Sequence, residues 1–140
     1  MSPFKRILIV DDDRNVTIWL ASLFRRFGYN VFVAEDGIQA MSMLRQHRPD
    51  VVLVDYIMPA GSGFFVLESL KKHADYCDTP VIIMSGDPSM EPELFLRHGA
   101  AACISKTADA ITLLQTVRQV MEPADGAAPA AETPAIAASA

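Results

Sequence analysis

Five short apolar runs, separated by stretches with helical periodicity, follow one another along the chain as far as Met121. The runs are Ile7 to Val10, Val31 to Val33, Val51 to Val54, Val81 to Met84 and Ala101 to Ile104. Each is rich in β-branched residues or bounded by turn residues, which predicts strands. After the first run, Val16, Trp19, Leu20, Leu23 and Phe27 form one apolar stripe, with Asp13 or Asn15 placed to cap a helix and Gly28 to end it. Trp19 is expected in the core. A second helix follows Asp36-Gly37 with Ile38, Met41 and Leu44 on its inner face. A third follows Gly61-Ser62-Gly63 and carries Phe64, Leu67 and Leu70. The fourth, about Met90 to His98, is expected to be short and mobile, because Pro88 and Pro92 fit only at or near a helix start. The fifth, after Asp109, presents Leu113, Leu114, Val117 and Val120. Strict β-α alternation, five times over, predicts an α/β fold whose parallel sheet is covered on both faces.

The chain has 140 residues, enough for one domain, placed at residues 4–121. From Glu122 onward it turns to Ala and Pro with scattered polar residues and no apolar periodicity, so residues 122–140 are expected to be a disordered tail or linker. A net charge of -5 argues against direct nucleic-acid binding, which needs clustered Lys and Arg. No stretch approaches the roughly 20 apolar residues of a membrane span, and the N-terminus has no signal-peptide core. Two cysteines, Cys77 and Cys103, offer no disulfide framework and fit a reducing cytoplasm. Cys103, within an apolar run, reads as a small core residue. His47, His73 and His98 share no spacing with the acidic residues and read as surface residues near helix ends.

The chemistry is expected where the strands end. In an open parallel α/β sheet, ligands sit at the carboxyl ends of the strands. Run one is followed by Asp11-Asp12-Asp13, run three by Asp55, run four by Ser85, and run five closely by Lys106. Carboxylates converging there repel one another, raising the pKa of at least one unless a cation sits among them. Hard oxygen donors select Mg²⁺ or a similar ion, which commonly bridges carboxylates to phosphate oxygens. Asp55 can then serve as a nucleophile toward a phosphoryl donor, with Lys106 as a point charge on the phosphoryl oxygens and Ser85 as a hydrogen-bond donor. Asp13 reads as a helix cap or a solvated charge rather than a ligand.

These positions resemble the response-regulator receiver domains of two-component signalling over about residues 4 to 121. The residues that carry the resemblance are Val10-Asp11-Asp12, then Val54-Asp55-Tyr56-Ile57-Met58-Pro59 with Gly63, then Met84-Ser85-Gly86, then Ser105-Lys106 after Gly99-Ala100. The resemblance implies a flavodoxin-like (βα)5 fold with strand order 2-1-3-4-5. It also implies Asp55 as phospho-acceptor and Asp12, Asp55 and the main-chain carbonyl of Ile57 as direct Mg²⁺ ligands. Asp11 would hold the ion through water, and Gly86 would leave room for the phosphoryl group. The implied partners are a histidine kinase or histidine phosphotransfer protein and a downstream protein target. Three features depart from the family pattern: Cys103 stands where an aromatic is usual, Thr107 stands where proline commonly follows a cis bond, and Pro88 and Pro92 alter the helix-four surface that family members often use for dimerisation or partner contact.

Two other functions compete. A Mg²⁺-dependent phosphohydrolase could use the same nucleophile, but its general acid would fall at Ile57, which cannot transfer a proton. An interaction module of the same fold could work independently of phosphorylation.

Overall fold

The structure, a computed structural model, describes residues 4–56, 63–87 and 90–122. Five strands alternate with five helices: β1 (Arg6–Val10), α1 (Arg14–Arg26), β2 (Asn30–Ala34), α2 (Gly37–His47), β3 (Val51–Asp55), α3 (Gly63–Lys72), β4 (Val81–Ser85), α4 (Pro92–Arg97), β5 (Ala102–Ser105) and α5 (Ala110–Met121). The strands form one parallel sheet in the order β2-β1-β3-β4-β5. Strand order therefore reverses between β1 and β3, which opens a crevice at their carboxyl ends. With right-handed crossovers, α1 lies on one face of the sheet and α2, α3 and α4 on the other.

Burial follows position in the sheet. β3 and β4 are buried at every residue and β1 at all but Arg6, whereas the edge strand β2 buries only Ala34. The register sets Val10 beside Val54 and Asp55 beside Met84, so the residues that end β1, β3 and β4 reach one edge together. No helix among the described residues is long and apolar enough to cross a membrane.

The helices depart from the apolar stripes in an instructive way. On α1 the buried residues are Thr17, Leu20, Ala21 and Phe24, while Trp19 is 48% exposed, against the expectation that it lies in the core. Phe27, the C-cap residue, is exposed as well. The inner face is displaced from the stripe because a small residue, Ala21, lets the helix sit close to the sheet, and the Thr17 hydroxyl is satisfied locally by donating to Arg14 O at 3.1 Å. α2 repeats the pattern. It rests on Gly37, Ala40 and Leu44, with Met41 partly buried, and Ile38, expected on the inner face, is 70% exposed. The remaining helices keep their expected faces: Leu67 and Leu70 of α3 and Leu113 and Val117 of α5 are buried. Pro92 opens α4, which spans six residues, and Pro88 lies outside the described residues.

Caps close the helix starts. Asp13 accepts from the N–H groups of Asn15 and Val16, Asp36 from Gln39 and Asp109 from Thr112, each satisfying donors that lack a partner within the helix. Of the two candidate caps for α1, Asp13 is the one used. Gly28 follows α1 at a φ of +91°, the left-handed region that glycine enters without a Cβ penalty. The histidines lie near helix ends but are not free: His47 stacks on Phe32 at 4.1 Å, His73 packs at a tilt on Tyr76, and His98 meets Phe64 edge to face.

Cys103 is buried, and burial pushes its thiol up to about 12. A thiol held protonated is a poor nucleophile. Iodoacetamide at pH 8 is therefore expected to leave Cys103 unmodified in the native protein and to alkylate it in urea. Peptide mass mapping reads this directly, and native labelling at Cys103 would contradict the packing. Trp19 is the chain's only tryptophan, so native fluorescence should emit near the wavelength of the unfolded chain and quench readily with acrylamide. A blue-shifted, quencher-resistant emission would instead bury it.

Candidate functional site

Asp11 leaves β1 by extending its ladder, its N–H donating to Ala34 O at 3.1 Å. Its Oδ1 then accepts from Asp13 N–H at 2.9 Å, a local turn that holds the carboxylate inward and buried. Asp12 stays exposed at the rim, and Asp13 is committed to capping α1. Asp55 ends β3 and is buried. One carboxylate oxygen from each of Asp11, Asp12 and Asp55 lies within 4.8 Å of the others.

Lys106 comes to the same point from β5. Its main-chain N–H donates to Ser85 O at 2.9 Å, and its Nζ stands 2.9 Å from Asp11 Oδ2 and 3.0 Å from Asp55 Oδ1. Three carboxylates thus face one ammonium. Desolvation by burial raises the Asp55 carboxyl most, Lys106 pulls it down, and the charges on Asp11 and Asp12 push it up again; the net direction is upward. Burial alone would lower Lys106, but its hydrogen bonds to Asp11 and Asp55 outweigh that effect and raise it. Repulsion among carboxylates therefore contributes to the rise at Asp55, behind burial.

Asp11 Oδ2 is buried, and its partner is the Lys106 ammonium at 2.9 Å. Three carboxylates with one ammonium leave excess negative charge on an all-oxygen donor set, which fits a small hard cation.

Ser85 and Gly86 complete the edge. The Ser85 hydroxyl accepts from Asp87 N–H at 2.8 Å and donates to Asp87 O at 3.5 Å, so it is engaged by its own loop. A Cβ at Gly86 would touch only the Lys106 side chain, at 3.8 Å and 3.9 Å, so the space beside Gly86 is otherwise open. Ile57 lies outside the described residues. The Lys106–Thr107 peptide is trans. Thr107 presents an N–H that proline would lack, and Ser105 Oγ accepts it at 3.0 Å while pairing with Thr107 Oγ1 at 2.7 Å. Trp19, Met84, Ser105, Lys106 and Leu113 line a cavity of about 230 Å³ beside the site, so the exposed tryptophan forms a wall of it.

Gly63 is a part of the site whose role the chain alone does not show. It opens α3 against the backbone of Asp55, and a Cβ there would lie 2.5 Å from Asp55 O. Both neighbours are main chain, so Gly63→Ala must displace β3 or α3. The expected cost is about 1–3 kcal/mol by urea denaturation, and wild-type stability in that variant would show that the close approach does not exist in solution.

Residues 7–118 match the model of the response regulator receiver domain. Protein PilH of Pseudomonas aeruginosa is 37% identical over 117 residues, covering 83% of this chain and 97% of that protein. Response regulator MprA of a Mycobacterium species is 36% identical over 85 residues, and there the match spans 61% of this chain but only 36% of the relative. Among solved structures, chemotaxis response regulator CheY4 of Vibrio cholerae superposes with a TM-score of 0.77 at 27% identity, covering 84% of this chain and 98% of the other. The Francisella response regulator 1452 receiver domain gives 0.76 at 28%, with 84% and 96% covered. With the sheet order and the family match in agreement, the chain belongs to the response regulator receiver domain family, the regulatory modules of two-component signalling.

Proposed function

We propose that Asp55 accepts a phosphoryl group from the phosphohistidine of a histidine kinase or histidine phosphotransfer protein, and that the charged site then alters what the chain binds. The observation that carries this reading is the Lys106 ammonium held between Asp11 and Asp55 at 2.9 Å and 3.0 Å. An Asp55 oxygen attacks phosphorus as the phosphorus–nitrogen bond to the donor breaks, and the imidazole leaves with the bonding electrons. The ionised carboxylate needs no general base. Lys106 exchanges its contact with Asp55 for the incoming phosphoryl oxygens, and Ser85 turns its hydroxyl from Asp87 to donate to them. Gly86 leaves the space they occupy.

The clustered carboxylates suit Mg²⁺, which Asp12, Asp55 and the Ile57 carbonyl would hold directly and Asp11 would hold through water. When bound, the ion would neutralise charge on the phosphoryl oxygens. The same reading makes the chain a regulatory acceptor that assists its own phosphorylation and dephosphorylation rather than an enzyme acting on other substrates. Its unpaired thiols, Cys77 and Cys103, suit the cytoplasm.

A second reading, an interaction module indifferent to phosphorylation, is favoured by one feature. Cys103, buried against Pro92, has no bulk to reorient when the site is filled.

Intact-mass measurement after incubation with acetyl phosphate separates the two. Wild type with Mg²⁺ should gain one phosphoryl group that is lost in base, and both Asp55→Asn and wild type in chelator should gain none. No gain in any sample would reject the acceptor and leave the phosphorylation-independent module. Mg²⁺ at tenfold over its Kd should also stabilise wild type by about 1.4 kcal/mol, visible as a rise in Tm that Asp55→Asn diminishes.

A further inference from the structure

α4 buries one side chain against the rest of the molecule. The helix is six residues long, its N-cap Glu91 makes no side-chain capping bond, and Phe95 is its single buried residue. Leu94 and Leu96, on either side, are exposed. So short a helix has little stability of its own, and its position depends on what holds that ring.

Phe95 is held by aromatic edges. The Tyr56 ring meets it at 5.2 Å and 84°, and Phe64 of α3 meets it at 5.7 Å and 75°. Phe64 also packs on His98, the C-cap of α4, at 4.9 Å. Edge-to-face pairs depend on ring orientation, so rotating one member changes the seat of the next. Tyr56 directly follows Asp55. Its N–H donates to Met84 O at 2.8 Å and its carbonyl accepts from Gly63 N–H at 3.1 Å. The main chain around Asp55 is thereby tied to β4 and to the start of α3, and the Tyr56 ring is the group that leads from it to α4.

Position 103 offers no comparable lever. Cys103 is buried, and its thiol reaches Pro92 O at 3.7 Å. Exchanging rotamers of so small a side chain displaces little volume.

We propose that the Tyr56–Phe95 ring contact transmits the state of the Asp55 carboxylate to α4. In the cell this rests on Asp55 being the phosphoryl acceptor, but the contact itself couples any change at that carboxylate, including loss of its charge.

The test is amide hydrogen exchange over residues 92–98, read by mass spectrometry in wild type, Tyr56→Leu, Tyr56→Phe and Cys103→Ala, each with and without Asp55→Asn. Wild type with Mg²⁺ and acetyl phosphate is run alongside, its phosphate content taken from intact mass. Asp55→Asn should change α4 exchange about threefold or more wherever the ring at position 56 is kept, Cys103→Ala included, and should leave it nearly unchanged in Tyr56→Leu. Phe95→Met tests the same contact from the α4 side if Tyr56→Leu does not fold. An equal response in Tyr56→Leu and wild type, a response abolished by Cys103→Ala, or no response in wild type would each overturn the proposal. Absence of phosphate in wild type would sink the acceptor reading alone, because the Asp55→Asn comparison decides the ring contact without it.

Discussion

Three carboxylates and one ammonium share the carboxyl edge of this sheet, and the balance among them governs the rest of the site. Asp11, Asp12 and Asp55 approach closely enough to repel, and Lys106 offsets only part of that charge. The remainder is uncompensated negative charge at a partly buried edge, a condition that an added cation relieves. The Asp55 carboxyl, raised chiefly by burial and held back by Lys106, shows how far one lysine can compensate.

Such crowding persists only because the backbone beneath it cannot relax. β3 and β4 are buried at every residue, and their register with β1 leaves Asp55 and Ser85 no freedom to slide away from Asp11. A one-residue slip would turn each strand's side chains to the opposite face. Gly63 adds a second constraint by packing α3 directly on the Asp55 carbonyl, where any side chain would intrude. Hydrophobic burial thus holds the carboxylates in an arrangement they would not adopt on their own.

Away from the edge the structure is less firmly held. α4 depends on Phe95, and Phe95 depends on its aromatic neighbours, one of which, Tyr56, follows Asp55 in the chain. Stability graded in this way, firm under the site and weak at one helix, suits a module whose output is a change of surface.

The apolar runs by themselves determined five strands, and strict alternation with helical segments determined a parallel α/β sheet, because burial on both faces requires unbroken apolar residues. The acidic and basic positions at strand ends were legible for the same reason: parallel strands bring their carboxyl ends to one edge. Helix orientation was not. Trp19 and Ile38 read as core because hydrophobicity was weighed without size, whereas the helices sit on Ala21, Gly37 and Ala40, residues small enough for close approach. Only the tertiary structure decided that Asp13 caps α1, that Ser105 takes the N–H Thr107 presents, that Gly63 abuts Asp55 and that Tyr56 meets Phe95. Each depends on distances between segments far apart in the chain or on a choice among local acceptors, and periodicity along one strand or helix carries neither.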